Sequence, residues 1–147
     1  MAGKSGLLIE SAEVPIVRLP LIRPFTISTG TMHAKEFVLL ILRSGDLEGY
    51  GEGVMDPFPD YLEETNVSGL MLLEQALLPQ ILGERFDNPA MLEQTMTHWR
   101  GHRMTKAMVE MAFQDLWAKS LGLPLKTVLG GVREAVDVGV SLGIGAI

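Results

Sequence analysis

Lys35-Glu36-Phe37-Val38-Leu39-Leu40-Ile41-Leu42-Arg43 is followed by Ser44-Gly45-Asp46 and then by Leu47-Glu48-Gly49-Tyr50-Gly51-Glu52-Gly53-Val54. An unbroken apolar run between charged ends reads as a strand covered on both faces. Ser44-Gly45-Asp46 supplies turn chemistry, so Leu47–Val54 returns as its antiparallel partner. Upstream, Leu8, Ile9, Val14, Ile16, Val17 and Leu19 mark residues 7–19 as a further strand. Pro15 has no N–H to give a ladder, which puts that strand at an edge or bends it there. The reading is a three-stranded antiparallel meander, with residues 20–34 as a loop between its first two strands.

Beyond Val54 the period changes from strand to helix. Asp60 and Glu63 have capping-box spacing, Glu63 and Glu64 favour a helix N-terminus electrostatically, and Val67, Leu70, Leu73, Leu77 and Ile81 follow helical spacing. Pro79 should kink the last turn. Asn88-Pro89 is an N-cap followed by a proline at the first helical position, opening a short helix that carries Leu92, Met96 and Trp99. The longest helix runs from near Arg103 to Leu121, with Gly122 to end it and Pro124 just beyond. It is apolar nearly all round, so it is expected to lie between two layers. Ala135–Ile144 alternates as a final strand, with no helix after it to cover it. The domain reading is therefore 1–131, with 132–147 as the start of a second domain.

Composition bounds the function. The chain has 147 residues, 47% of them hydrophobic and 20% charged, and a mean hydropathy of +0.24. That excludes intrinsic disorder, and the length excludes a complete (β/α)8 barrel, which needs about 250 residues. Zero cysteines exclude a disulfide scaffold and a thiolate metal site. Net charge −6 argues against nucleic acid and anionic lipid as partners. No apolar run approaches the ~20 residues of a membrane span, and no signal-peptide pattern opens the chain, so the expected compartment is the cytoplasm. Residues 1–97 carry 14 Asp and Glu against 6 Lys and Arg, while residues 98–147 carry 4 against 6. This asymmetry points to a homo-oligomer.

Three motifs have competing readings. Gly49, Gly51 and Gly53 sit inside a strand with no helix following at once, so they signal a bend or a close backbone approach rather than a phosphate loop. His98 and His102 are four apart, but Gly101 lies between them and no HExxH pattern is present. Asp115 falls on an apolar stripe of the long helix and calls for an ion pair or a capped loop nearby.

The stretch Glu110-Met111-Ala112-Phe113-Gln114-Asp115-Leu116-Trp117-Ala118-Lys119-Ser120-Leu121-Gly122-Leu123-Pro124-Leu125, then Val128-Leu129-Gly130-Gly131, resembles the junction after the N-terminal capping domain of the enolase superfamily, muconate-lactonizing type. Leu19-Pro20-Leu21-Ile22-Arg23-Pro24-Phe25, Gly101-His102-Arg103-Met104-Thr105-Lys106 and Gly139-Val140-Ser141-Leu142-Gly143-Ile144 look like the o-succinylbenzoate synthase / N-acylamino acid racemase group. The resemblance implies an α+β capping domain, a meander plus helical bundle, followed by the first strand of a barrel. It implies abstraction of a proton α to a carboxylate, with a Lys as base and Mg²⁺ as cofactor, then dehydration in menaquinone biosynthesis or racemisation.

The family's catalytic lysines and acidic metal ligands come from later barrel strands. This chain has no Lys-x-Lys, so the resemblance implies no catalytic or metal-binding residue here. It implies a cap for a small carboxylate substrate instead, from Phe25, Thr26, Thr29 and Gly30, from Val54, Met55 and Asp56 in a loop reaching Phe58, and from Ser141. Some family members carry a second aromatic where Thr29 stands, which bears on acyl-group specificity. The alternatives are the cap of a muconate cycloisomerase or dipeptide epimerase, and a non-catalytic binding or oligomerisation module.

Overall fold

The computed structural model describes residues 6–27, 30–59 and 61–140. Its elements in chain order are β1 (Leu7–Leu8), β2 (Ser11–Glu13), β3 (Ile16–Ile27), β4 (Gly30–Ser44), β5 (Leu47–Gly53), α1 (Asn66–Leu72), α2 (Leu78–Ile81), β6 (Arg85–Phe86), α3 (Pro89–Met96), α4 (Arg103–Leu121) and α5 (Leu125–Val128). A π-helical turn, Leu73–Leu77, joins α1 to α2. No helix among the described residues is long and apolar enough to cross a membrane.

β4 is the centre of the meander, with β5 on one side and β2 and β3 end to end on the other, all antiparallel. β2 and β3 keep one register across Pro15, from Ser11↔Arg43 to Pro20↔Ala34. Pro15 interrupts the strand without shifting it, and its carbonyl still accepts from Leu39 N at 2.9 Å. Leu7 and Leu8 leave this sheet and pair with Phe86 and Arg85 instead.

Where a loop over residues 20–34 is expected, residues 20–27 and 30–34 are instead paired strands, the outer half of a long hairpin. Pro20 and Pro24 read as loop residues, but β3 is an edge strand, where the missing N–H of a proline need cost no ladder bond.

Coverage of β4 on both faces is also corrected. Val38, Leu40 and Leu42 are fully buried, while Phe37, Leu39 and Ile41 are only half-buried. A continuous apolar run does not reveal which alternate face meets a second layer. The same holds for α4. Met108, Val109, Ala112, Phe113 and Leu116 are fully buried, but Met111 is 45% exposed, so within the described residues one broad face packs and the other does not. Phe113 sets its ring edge-on to Phe86 at 5.6 Å and stacks on Trp117 at 6.0 Å.

α4 lies directly on β5, and the glycines explain how. A Cβ at Gly49 would stand 2.1 Å from the Ala112 carbonyl oxygen, and one at Gly51 would stand 1.9 Å from that of Met108. The alternate positions of this strand therefore carry no side chain because a helix backbone occupies the space. The close approach expected from the sequence is present.

Helix ends hold further corrections. The N-cap of α1 is Thr65, in a reciprocal box with Ser68, and not Asp60, which lies outside the described residues. The box uses Ser where Glu or Gln is usual, which is why the 60/63 spacing drew attention first. Pro79 leaves the helix unbroken. The π turn before it absorbs the missing hydrogen bond and the clash of the ring with the preceding turn. Asn88 caps α3 through Met91 N at 3.1 Å, as expected, and Gly122 ends α4 at φ 65°.

Residues 132–140 form no strand. Val132, Val136, Val138 and Val140 are 70–88% exposed, since no described segment offers them a ladder. The rest of the expected strand, with Ser141, lies outside the described residues.

Candidate functional site: a cleft between the hairpin and the loop after β5

The outer hairpin and the loop after β5 face each other across a cleft of about 560 Å³. One wall comes from Phe25 and Ile27 on β3 with Gly30, Met32 and Ala34 on β4. Phe25 pairs with Met32 and Ile27 with Gly30, so these side chains share one face of the ribbon. The other wall is Asp56, Pro57, Phe58 and Tyr61. Phe58 is 75% exposed and Tyr61 80%. Exposed aromatics gathered at one concavity mark a binding surface more often than scattered ones do.

The loop wall is anchored at its root. Asp56 carboxylate accepts from Lys35 Nζ at 2.9 Å, and Asp56 carbonyl accepts from Asn66 N at 3.0 Å. The loop then ends at Glu64, the only buried charged residue among the described residues. Its carboxylate accepts from Met104 N at 2.9 Å, Thr105 N at 2.8 Å and Thr105 Oγ1 at 2.5 Å. The two amides are open backbone donors of the first turn of α4, and the hydroxyl is a side-chain donor beside them. His102, just before that helix, is left-handed at φ 48° and gives no side-chain cap, so Glu64 supplies it from 40 residues away. The sequence reading assigned Glu63 and Glu64 to the start of their own helix, because a contact between distant segments leaves no spacing to read.

Of the residues expected at the cap, Phe25, Gly30 and Asp56 line the cleft. Thr26 sits beside it, its hydroxyl 3.0 Å from that of Thr31. Val54 is exposed outside the lining, and Met55, 1% exposed, is directed into the core against Gly53 and Gly69. Thr29 and Ser141 lie outside the described residues. Ile27, Met32, Lys35 and Tyr61 were not anticipated. Reading 20–34 as a loop hid the two-residue alternation that puts Phe25, Ile27 and Met32 on one face.

A second polar cluster joins β2, β4 and β5 at the far end of the sheet. Arg43 donates to Glu13 at 2.6 Å and to Glu48 at 2.7 Å, and the Tyr50 hydroxyl also donates to Glu48. Those partners, Tyr50 first and then Arg43, hold the Glu48 carboxyl below the usual range, and Glu48 raises the Tyr50 phenol above it. The stabilisation from Glu48 is present above its unfolded value and is lost as pH falls through its folded one. For Tyr50 it is present below about pH 10 and is lost as pH rises through the raised value. In a Tyr61→Phe background, the Tyr50 absorbance titration should have its midpoint above that of free tyrosine. Glu48→Gln should return it toward the free value.

Asp115 takes the structural role expected of it, accepting from Tyr50 N at 3.0 Å and Lys119 Nζ at 2.7 Å. No helix spans His98 and His102, since α3 ends at Met96 and α4 starts at Arg103. The His98 ring packs against Trp99 at 4.7 Å.

An antiparallel sheet on a helical layer, with a hairpin and a loop forming an open apolar cleft, defines an enolase-type N-terminal capping domain. The chain belongs to the family described as mandelate racemase / muconate lactonizing enzyme, N-terminal domain, which matches residues 11–130. It is 52% identical over 136 residues to the N-succinylamino acid racemase of Thermus thermophilus, covering 92% of this chain and 37% of that protein. It is 39% identical over 137 residues to the o-succinylbenzoate synthase of Geobacillus kaustophilus, covering 92% of this chain and 36% of that protein. A solved enolase-superfamily structure from Enterococcus faecalis superposes with a TM-score of 0.85 at 37% identity, over 96% of this chain and 38% of the other. The chain thus spans little more than a third of the length of the relatives it matches.

Proposed function

We propose that this chain is the capping and substrate-specificity portion of an o-succinylbenzoate synthase / N-acylamino acid racemase. The full-length enzyme would remove a proton α to a carboxylate with Mg²⁺ assistance, then dehydrate or racemise its substrate. Carrying this reading is the cleft itself, an apolar concavity walled by Phe25, Met32, Phe58 and Tyr61 and open to solvent. Such a surface suits the acyl or aromatic part of a carboxylate substrate, with the carboxylate end held by another domain. The identity to a racemase of N-succinylamino acids and to o-succinylbenzoate synthases favours that group over muconate cycloisomerases.

The described residues do not fit a divalent metal. No group of three His, Cys, Asp or Glu among them could hold one, and Asp56 in the cleft is already paired with Lys35. The metal and the catalytic base belong, on this reading, to a barrel that begins near residue 132. The exposed valines of 132–140 would be covered as the first strand of that barrel, Met111 on the open side of α4 would face it, and the full-length enzyme would be a cytoplasmic homo-oligomer.

The purified 147-residue chain with Mg²⁺ should neither racemise an N-acylamino acid nor dehydrate the o-succinylbenzoate precursor; turnover well above a blank would overturn the division of labour. In a version continued into its barrel, Phe25→Ala should raise KM about tenfold. Removing that ring forfeits roughly 1.5 kcal/mol of apolar burial against the substrate. An unchanged kcat/KM would remove Phe25 from the cap.

A further inference from the structure

Lys35 stands at the inner edge of a break in the hairpin. From Ile16↔Val38 to Pro20↔Ala34 the pairing of β3 with β4 is regular, and it resumes three residues out of step at Phe25↔Met32. Leu21, Ile22, Arg23 and Pro24 therefore oppose the single residue His33. The ladder is interrupted there, and the outer hairpin hangs on the three pairs from Phe25↔Met32 to Ile27↔Gly30. This outer part, with Ala34, Lys35 and Glu36 just inside the break, is one wall of the cleft, and Asp56, Pro57, Phe58 and Tyr61 are the other. Among the described residues, Lys35–Asp56 is the only ion pair joining the two walls, at 2.9 Å, with each side chain about one-third exposed. Leu19↔Lys35 is a regular pair just inside the break, so the tie is made at the hinge and not at Phe25–Ile27 or Gly30–Met32.

We propose that Lys35 and Asp56 form a latch that sets how far the hairpin stands from the loop, and so how wide the cleft opens. Lys35 is a positioning residue, acting through Asp56 rather than on a ligand. The purpose of the opening rests on the capping function proposed above, while the latch itself does not. A partly exposed pair is weak and screened by salt, so it biases an opening without locking it. An element that must admit a ligand requires this low local stability.

The test is amide hydrogen exchange on the full 147-residue chain. Lys35→Met and Asp56→Asn should each speed exchange at Phe25–Ile27 and Gly30–Met32 by about three- to fivefold, the range of an exposed pair. Rates at Val38–Leu42 and in α4 should stay as they are. Lys35→Arg should keep wild-type rates, the double exchange Lys35→Asp with Asp56→Lys should recover most of the loss, and 1 M salt should bring wild type toward the single variants. The latch is overturned if the single variants leave the hairpin rates unchanged, if Lys35→Arg acts like Lys35→Met, or if the acceleration spreads into α4. In the full-length enzyme, KM should rise by a similar factor with kcat moved less. Faster hairpin exchange with unchanged KM would uphold the latch and remove the capping function instead.

Discussion

Gly51→Ala should destabilise the chain by about 3 kcal/mol, the upper part of the range for overpacking a filled site. For a protein of this size that lowers the melting temperature by about 6–12 °C. The new Cβ would stand 1.9 Å from the Met108 carbonyl oxygen and 2.9 Å from the Ala112 amide nitrogen. Both are backbone atoms of α4, so no side chain can turn aside, and the helix must lift off the sheet. Lifting it opens the contacts that bury Val38, Leu40 and Leu42 below it. Gly30→Ala is the control, because nothing among the described residues lies within 4 Å of a Cβ there. It should change stability by less than about 0.5 kcal/mol. Thermal unfolding followed by circular dichroism compares the two, and equal melting points would show that the helix can shift on β5 at little cost.

Glu64→Ala should cost about 3 kcal/mol, because it strips acceptors from three donors at once. The amides of Met104 and Thr105 and the Thr105 hydroxyl all point at this one carboxylate. Thr105 is fully buried, so water cannot replace the lost partner. Glu64→Gln keeps an acceptor oxygen but loses the charge that favours a helix N-terminus, and should cost about 1–2 kcal/mol. Urea unfolding gives the two values, and amide exchange at Met104 and Thr105 locates the effect. A Glu64→Ala chain as stable as wild type would show that the first turn of α4 finds other partners. The variant should also loosen the cleft, since Glu64 ends the loop that forms its second wall.

These two residues differ in how far they could be read from the chain. The glycine alternation at 49, 51 and 53 is a local pattern, and a close approach of another backbone is its natural reading. What approaches could not be read, because α4 follows some 50 residues later. Glu64 carries no pattern at all. It reads as one more acidic residue before a helix, and only packing reveals that it serves a different helix. The outer hairpin was misread for a related reason. Pro20 and Pro24 are loop signals on their own, and an edge position, which only the sheet defines, makes them compatible with a strand.

The sequence by itself determined the meander around Ser44-Gly45-Asp46, the capped start of α3 at Asn88-Pro89, the span of α4 to Gly122, and the enolase-type family. All of these rest on short-range chemistry: turn preference, capping, periodicity and contiguous motifs. Tertiary structure alone decided which faces of β4 and α4 are covered, which carboxylate caps α4, and which residues meet across the cleft. Those depend on segments 20 to 65 residues apart being brought within hydrogen-bonding distance, and neighbouring residues do not record which distant group will be opposite them.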